Sequence, residues 1–369
     1  MNSNALGNEV VIAIMGATGA GKSTFINLLA GTDFGVGAGL KSCTKGIEVS
    51  PPFISGGRRV TLVDTPGFDD TNLSDTEVLT MIALFLSQAY ENGRLLSGVI
   101  FLHRISDFRV SGVTRRNFGL FRNLCGDENL NHVVIATNMW GQVSQEVGEA
   151  REMELASEDM FFKPALAGGA QMVRHDSSLQ SAHDILQSLI DNPPTTLRIQ
   201  RELVLEGKDI TETAAGLELD QELVAAGKKH REHLARVQQD MTAAMMAKDV
   251  QSKRELEQVR SELLSHMRKN EEERTNLSSQ YAREKEEMDA QLASLKASLE
   301  AESNARQQGE RALADARRSQ ENTAAEYRAN REMLNRQIAD LQRQHQNSRQ
   351  RNGLMNILIP AVTFLAKFL

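Results

Sequence analysis

Cysteine is nearly absent: Cys43 and Cys125 are the two thiols in 369 residues. Without a Cys-x-x-Cys pair they build neither a disulfide scaffold nor a zinc site of the usual kind, and they fit a reducing compartment. A basic excess is missing too. Lys and Arg number 42 against 49 Asp and Glu, a net charge of −7, so nothing general in the charge favours nucleic acid or anionic lipid, and no nucleic-acid partner is expected. The stretch MNSNALGNEVVIAIMGATG lacks a basic n-region, and its apolar run ends in a Gly-rich turn where a signal peptide has its cleavage site; a cytoplasmic protein is expected. Proline is missing from most of the C-terminal half. Six of the seven prolines lie between Pro51 and Pro194 and the next is Pro360, while residues 217–346 hold no proline and two glycines, Gly227 and Gly309.

That proline-free segment is dense in Glu, Gln, Lys, Arg, Ala and Leu, the strong helix formers. As one helix it would reach roughly 195 Å at 1.5 Å per residue. Apolar residues recur at spacings of four and three in patches: Leu234, Val237, Met241; Leu256, Val259, Leu263; Met288, Leu292, Leu295, Leu299; and Leu334, Ile338, Leu341. The register slips near Lys248 and thins from Ala301 to Arg318, so the expectation is a broken or paired coiled coil, with a solvated single helix as the alternative. The halves also differ in charge. Residues 1–220 hold 17 basic against 27 acidic side chains, and 221–369 hold 25 against 22. At about 150 residues per domain, a single compact fold is not expected.

The stretch LMNILIPAVTFLAKFL at 354–369 is apolar apart from Asn356, Thr363 and Lys367. Sixteen residues make about 24 Å of helix, short of a hydrocarbon core of roughly 30 Å, and Pro360 would bend it. Arg336, Arg343, Arg349 and Arg351 precede it with Asp340 opposing. Shallow or tail-anchored membrane attachment is expected, packing inside an oligomer or against the N-terminal domain being the alternative.

Residues 9–192 follow another pattern, β-branched runs separated by turn signals and amphipathic stretches, which predicts an α/β fold. Strands are predicted at 10–15, 46–50, 60–64, 99–103, 133–137 and near 172–174. Helices are predicted at 25–30, 78–89, 114–124, 145–160 and 179–190, the last capped by Ser177 or Ser178. Between the first strand and the first helix lies GATGAGKST, residues 16–24. Gly-x4-Gly-Lys-Ser in a strand-to-helix turn is a phosphate cradle: the backbone N–H groups of Gly16, Ala17, Thr18, Gly19, Ala20 and Gly21 turn inward, Lys22 reaches the outer phosphates, and Ser23, followed by Thr24, offers a hydroxyl to Mg²⁺. A second motif, TLVDTPGF at 61–68, ends a strand in an acid before a Pro-Gly turn. Asp64 is expected in the Mg²⁺ shell and the Gly67 N–H at the γ-phosphate, which makes residues 68–75 a candidate switch. Thr44, in LKSCTKGIE, is the candidate that closes on the metal from the other side.

These residues carry a resemblance. GATGAGKST, the Ser42-x-Thr44 spacing and DTPGFDDT together resemble the translation-factor-like class of P-loop GTPases. Within it the chain is similar to the immunity-associated (avirulence-induced, AIG1) GTPases and, more distantly, to septins and chloroplast import receptors. VIFLHRISDFRVSG at 99–112 looks closer still to fungal AIG1-type proteins. The resemblance covers about residues 9–190 and implies a P-loop sandwich with a mostly parallel sheet, GTP/GDP and Mg²⁺ as ligands, and homo-oligomers. Two departures stand out. The base-reading Asn/Thr-Lys-x-Asp box is replaced by TNMW at 137–140, where Asn138 is left to meet the base edge and Trp140 to stack on it. No Asp is present to reward guanine, so an ATP-binding protein stays open, and Met172–His175 aligns with the loop that usually adds contacts to the base. Where many small GTPases carry a water-orienting Gln, this chain has Phe68. Hydrolysis is then expected to be slow or to draw on His103, Arg104, Arg115, Arg116 or an arginine from a second chain, and a nucleotide-binding scaffold without turnover is the alternative. His230 and His233 are expected to face solvent.

The resulting plan is a G domain at 1–195, a linker at 196–216 entered by the Pro-Pro break of DNPPTTLRIQ, a helical coil at 217–346 and a basic-then-hydrophobic tail at 347–369.

Overall fold

The computed structural model describes residues 9–34, 46–70, 72–107, 112–247 and 249–351. The chain divides into two units, Met1–Glu287 and Met288–Leu369. Thr44, Ser42 and the hydrophobic tail at 354–369 lie outside the described residues.

The first unit is built on a seven-stranded sheet of order β2-β4-β1-β5-β6-β7, with β3 pairing to β4. Its strands are β1 (Glu9–Gly16), β2 (Glu48–Val49), β3 (Phe53–Ser55), β4 (Arg58–Asp64), β5 (Gly98–Arg104), β6 (Val133–Asn138) and β7 (Gln171–Arg174). The β4-β1-β5-β6-β7 run is parallel, whereas β2 and β3 lie antiparallel to β4. The central strand segments VVIAIM and GVIFL are apolar throughout because both their faces are covered, as in parallel sheets generally. On one face Ile12, Ile14, Leu62 and Leu102 pack under α1 (Lys22–Ala30) and α6 (Leu179–Ile190). On the other, Phe101 meets Phe118 and Phe121 of α3 (Gly112–Cys125), and Phe162 closes the aromatic cluster. β3 has no counterpart in the sequence-based expectation; its three residues, after Pro51 and Pro52, are too few for alternation to be legible.

Local signals fix the helix starts. A reciprocal capping box between Ser74 and Glu77 opens α2 (Asp75–Glu91), Ser144 caps α4 (Gln145–Ser157), and Ser178 caps α6. A short helix, α5, spans Lys163–Ala167.

The segment expected as a linker at 196–216 is packed structure. Leu197, Ile199, Gln200 and Ile210 are buried, the first three at α7 (Arg198–Gln200), which the π-helical turn Arg201–Leu205 continues, and Ile210 in the 3-10 turn Ile210–Glu212 that follows. Gln200 Nε2 donates to Leu86 O at 2.9 Å, and its Oε1 accepts from Leu197 N at 2.9 Å. Removing that amide orphans a buried N–H, so Gln200→Ala is expected to lower the stability of the chain by about 2–3 kcal/mol, read from the urea midpoint.

Helix α8 (Ala214–Met246) starts at the cap Thr213, and Leu219 and Leu223 are buried where it packs on α3. Arg115 Nη2 pairs with Glu222 at 2.8 Å in the same contact. The first part of α9 (Val250–Arg351) runs antiparallel to α8, placing Arg274 Nε 2.7 Å from Asp220 and the His266 ring 5.7 Å from that of His230. His230 therefore faces a neighbouring helix, with its Nδ1 buried, where solvent was expected. α8 ends at Met246, and a new cap follows at Asp249, whose carboxylate accepts from Gln251 N and Ser252 N at 3.1 Å each. In the second unit the described chain is the remainder of α9, with Leu295, Leu299, Leu334 and Leu341 exposed. Among the described residues no helix is long and apolar enough to cross a membrane.

Candidate functional site

The ends of β1 and β4 meet at the first turn of α1. Gly16 has φ 140°, and a Cβ there would run into the Leu102 carbonyl oxygen of β5, so the chain leaves the sheet at this point only as glycine. Lys22 folds back along the turn: its Nζ donates to Gly16 O (3.0 Å) and Ala17 O (3.1 Å). Burial pulls its pKa down from the usual lysine range to about 8, against the opposing pull of Asp64 and Asp70.

Beside it, Ser23 Oγ donates to Asp64 Oδ2 at 2.5 Å. Asp64 is fully buried, its Oδ1 has no hydrogen-bond partner, and burial raises its pKa despite the Ser23 hydrogen bond and the Lys22 charge. A buried carboxylate with an orphaned oxygen next to a hydroxyl is an incomplete oxygen shell for a hard cation. The two residues fit Mg²⁺, which takes few protein oxygens and keeps several waters. Among the described residues no group of three or more His, Cys, Asp or Glu is arranged around a metal position.

The DTPG segment lies directly on the cradle. A Cβ on Gly67 would run into the backbone nitrogen of Thr18, Thr18 N donates to Phe68 O at 3.2 Å, and Thr18 Oγ1 reaches Asp70 Oδ2 at 3.3 Å. Asp69 follows with φ 63°, a left-handed conformation costly for a side chain with a Cβ. Its N–H is held by Asp75 Oδ1 at 2.9 Å, and Arg116 of α3 pairs with Asp75 at 2.9 Å and with Asp69 at 4.0 Å. The strained turn is thus pinned on one side by the cradle and on the other by α3.

The candidate catalytic groups separate. Phe68 is buried and has no polar atom to orient water. His103 is buried edge-on against Phe162, with burial pulling its pKa to about 4. Arg115 is engaged by α8 and Arg116 by Asp75. Arg104 alone of the four lies over the cradle: its Nη1 is 3.1 Å from where a Gly19 Cβ would stand, and its Nε pairs with Asp107 at 3.0 Å.

At the base-reading end, Asn138 Nδ2 donates to Ala20 O at 3.1 Å, tying the end of β6 to the cradle. Met139, with φ 63°, donates its N–H to Asn138 Oδ1 at 2.7 Å. Counting from Asn138 as the first residue of the box puts Gly141 at its carboxylate position. Trp140 is engaged within the fold: its Nε1 donates back to Thr137 O, the Arg174 guanidinium lies over the ring at 4.3 Å, and Gly148 lies close to the ring. The loop that reaches Asn138 sits a few residues beyond Met172–His175, with Ser177 Oγ 3.5 Å from Asn138 Oδ1, because Gln171–Arg174 is strand β7.

The lysine predicts a pH dependence. Lys22 must be protonated to attract phosphate, and burial lowers its pKa to about 8, so affinity for a nucleoside triphosphate is expected to fall as pH rises through that value. Binding above pH 8 then takes up a proton, measurable as a buffer-dependent enthalpy in calorimetry.

Residues 11–109 match the sequence model of the 50S ribosome-binding GTPase family. No curated protein matches the chain. Among solved structures, the chain is similar to Toc33 from Arabidopsis thaliana in complex with GDP and Mg²⁺ (16% identity over 50% of this chain and 84% of that one, TM-score 0.37). It is also similar to a variant of Era from Aquifex aeolicus bound to GDP and AlF4⁻ (18%, 51% and 58%, TM-score 0.37) and to the G domain of the FeoB iron transporter of T. maritima (14%, 50% and 98%, TM-score 0.32). The family match, the sheet order and the cradle give the N-terminal part of the chain the fold of a P-loop GTPase G domain.

Proposed function

We propose that the chain is a guanine-nucleotide switch of the immunity-associated (AIG1) kind. It binds GTP or GDP with Mg²⁺, hydrolyses GTP slowly, self-associates through its G domain and its helical segment, and attaches to the cytosolic face of a membrane through its tail. The observation that carries the nucleotide reading is the Ser23 hydroxyl on the buried Asp64 carboxylate, with Asp64 Oδ1 unpartnered, beside a lysine folded onto the cradle's own carbonyls. The subgroup is supported by GATGAGKST, Ser42-x-Thr44 and DTPGFDDT in one chain.

In this reading the N–H groups of residues 16–21 and the start of α1 hold the phosphates. Lys22 exchanges the Gly16 and Ala17 carbonyls for phosphate oxygens. Ser23, Asp64 and Thr44 hold Mg²⁺, which neutralises charge on the outer phosphates when bound. The Gly67 N–H reports the γ-phosphate, and the strained turn at Asp69 carries that report to Arg116 and α3. Asn138 steadies the base end of the cradle. Arg104 is the group placed to stabilise charge at the phosphates, and Phe68 leaves the attacking water unoriented, which keeps turnover slow.

Phe68 also favours a second reading, a nucleotide-binding scaffold without turnover. The test is nucleotide content after purification, then GTP against ATP in competition, then single-turnover phosphate release from the full chain. GTP is expected to win, but by less than about 100-fold, because Gly141 supplies no acceptor for guanine's donors. Phosphate release over minutes to hours, faster at high protein concentration, supports the switch. No release while GTP stays bound supports the scaffold, and preference for ATP overturns the guanine assignment.

A further inference from the structure

From Met288 onward α9 carries one heptad register, with Leu295, Leu299, Leu313, Tyr327, Leu334 and Leu341 exposed. Leu292, Leu299, Leu313, Tyr327, Leu334 and Leu341 fall on a positions, with Arg306 and Gln320 at the two between them, and Met288, Leu295 and Ala316 fall on d positions. Leu299 and Leu313 are each 57% exposed, Tyr327 74% and Leu341 65%. A stripe of large apolar groups on one face of a helix is what a partner helix buries, whereas a solvated single helix distributes them around its circumference.

We propose that this face pairs with the same face of a second copy of the chain, as a parallel, in-register two-stranded coil over residues 288–341. The proposal deepens the self-association reading above and rests on it. Three features select the partner and its direction. The polar seam positions Gln320, Asn330 and Gln337 carry amides, each a donor and an acceptor, which satisfy one another when identical residues meet across the seam. The antiparallel alignment that brings the two leucine-rich ends together sets Leu292 against Gln337 and Leu299 against Asn330, and leaves those amides facing hydrocarbon. In the parallel register the flanking positions agree as well: Glu326 of one strand lies beside Arg331 of the other and Met333 beside Ile338, and none of the flanking pairs from Gln291 to Ile338 brings like charges together.

Three successive layers weaken the seam. Glu302 and Arg306 each face their own copy, but they lie one turn apart, so the acid of one strand reaches the base of the other, and Gly309 follows with no side chain. A seam this polar in its middle suits two strands, where a and d groups keep an edge toward water, better than a larger bundle. Parallel pairing starts both seams at Met288, so the two nucleotide-binding units leave from the same end of the coil.

The experiment uses the full chain with Cys43→Ser, since the remaining Cys125 is buried and burial pushes its thiol pKa far up. Leu295→Cys and Leu334→Cys are introduced separately, oxidised alone and mixed, and run on a non-reducing gel beside sedimentation of the unoxidised chain. The expected result is a dimer in sedimentation and a disulfide dimer from each variant alone, with no gain in mixed dimer over random exchange. A disulfide formed chiefly between the two different variants means antiparallel pairing; it overturns the direction and leaves self-association standing. A monomer in sedimentation with no cross-link overturns both, as does a higher oligomer for the two-stranded seam. Leu334→Asp, at a position exposed in the single chain, is expected to weaken dimerisation by about 100-fold while leaving nucleotide binding unchanged.

Discussion

Replacing Lys22 by alanine is expected to cut affinity for GTP by at least about 100-fold, the cost of removing one member of a desolvated charge pair. The side chain lies along the cradle, bonded to Gly16 O and Ala17 O, so its ammonium is already out of bulk water before phosphate arrives. Phosphate replaces two neutral acceptors with a charged one, and the gain is large because the desolvation has been met in folding. Isothermal calorimetry with GTP, GDP and ATP measures the loss. The variant is expected to stay folded, since alanine removes a buried charge whose lowered pKa marks it as costly to the apo protein. Unchanged affinity with an intact fold would remove the phosphate-binding role from this turn.

The second large effect is expected from Asp64→Asn. The amide keeps the shape of the carboxylate and an acceptor for the Ser23 hydroxyl, but loses the charge that a divalent cation requires. Mg²⁺ affinity of the nucleotide complex is expected to drop by about 10- to 100-fold, read as the Mg²⁺ concentration needed for tight GTP binding. In the free protein the change acts in the opposite direction. Burial raises the Asp64 pKa, so the folded state holds on to a proton more strongly than the unfolded state does, and ionising this group costs stability as pH rises past its unfolded value. Neutral Asn escapes that cost. The apo variant should therefore show no loss of stability toward neutral pH from this group, while the Mg²⁺-dependent stabilisation by GTP is weakened. A purely structural Asp64 would give the reverse, a less stable apo protein with normal Mg²⁺ dependence.

Much of the site was legible because phosphate binding is written in backbone. A strand, a turn that needs glycine and a helix start place Gly16 to Ser23 by local rules, and the strand-ending acid before Pro66 and Gly67 is equally local. What the order of residues left open was which side chains converge. Arg104, Arg115 and Arg116 were equal in sequence, yet Arg104 rises from the end of β5 over the cradle, while the other two leave α3 toward α8 and toward Asp75. Trp140 looked available to a base, and the fold gives its ring to Arg174 and Gly148.

The helical half divides in the same way. Composition alone predicted helix over residues 217–346, which α8 and α9 supply on either side of the turn before Asp249, since helix formation depends on propensity and on the absence of proline, both properties of each residue by itself. Whether a helix is covered depends on what lies across from it, and a leucine at spacing four looks the same whether it meets its own G domain or nothing. Leu219 and Leu223 are buried on α8, which packs on α3, and the Pro-Pro break that resembled a domain boundary leads into buried structure around Gln200. Backbone conformation, capping and the phosphate cradle were thus determined by the sequence, because their physics acts over a few residues. The extent of the first compact unit, the company kept by each arginine and the fate of Trp140 were decided by tertiary structure, because burial and charge pairing join residues that the chain order keeps far apart.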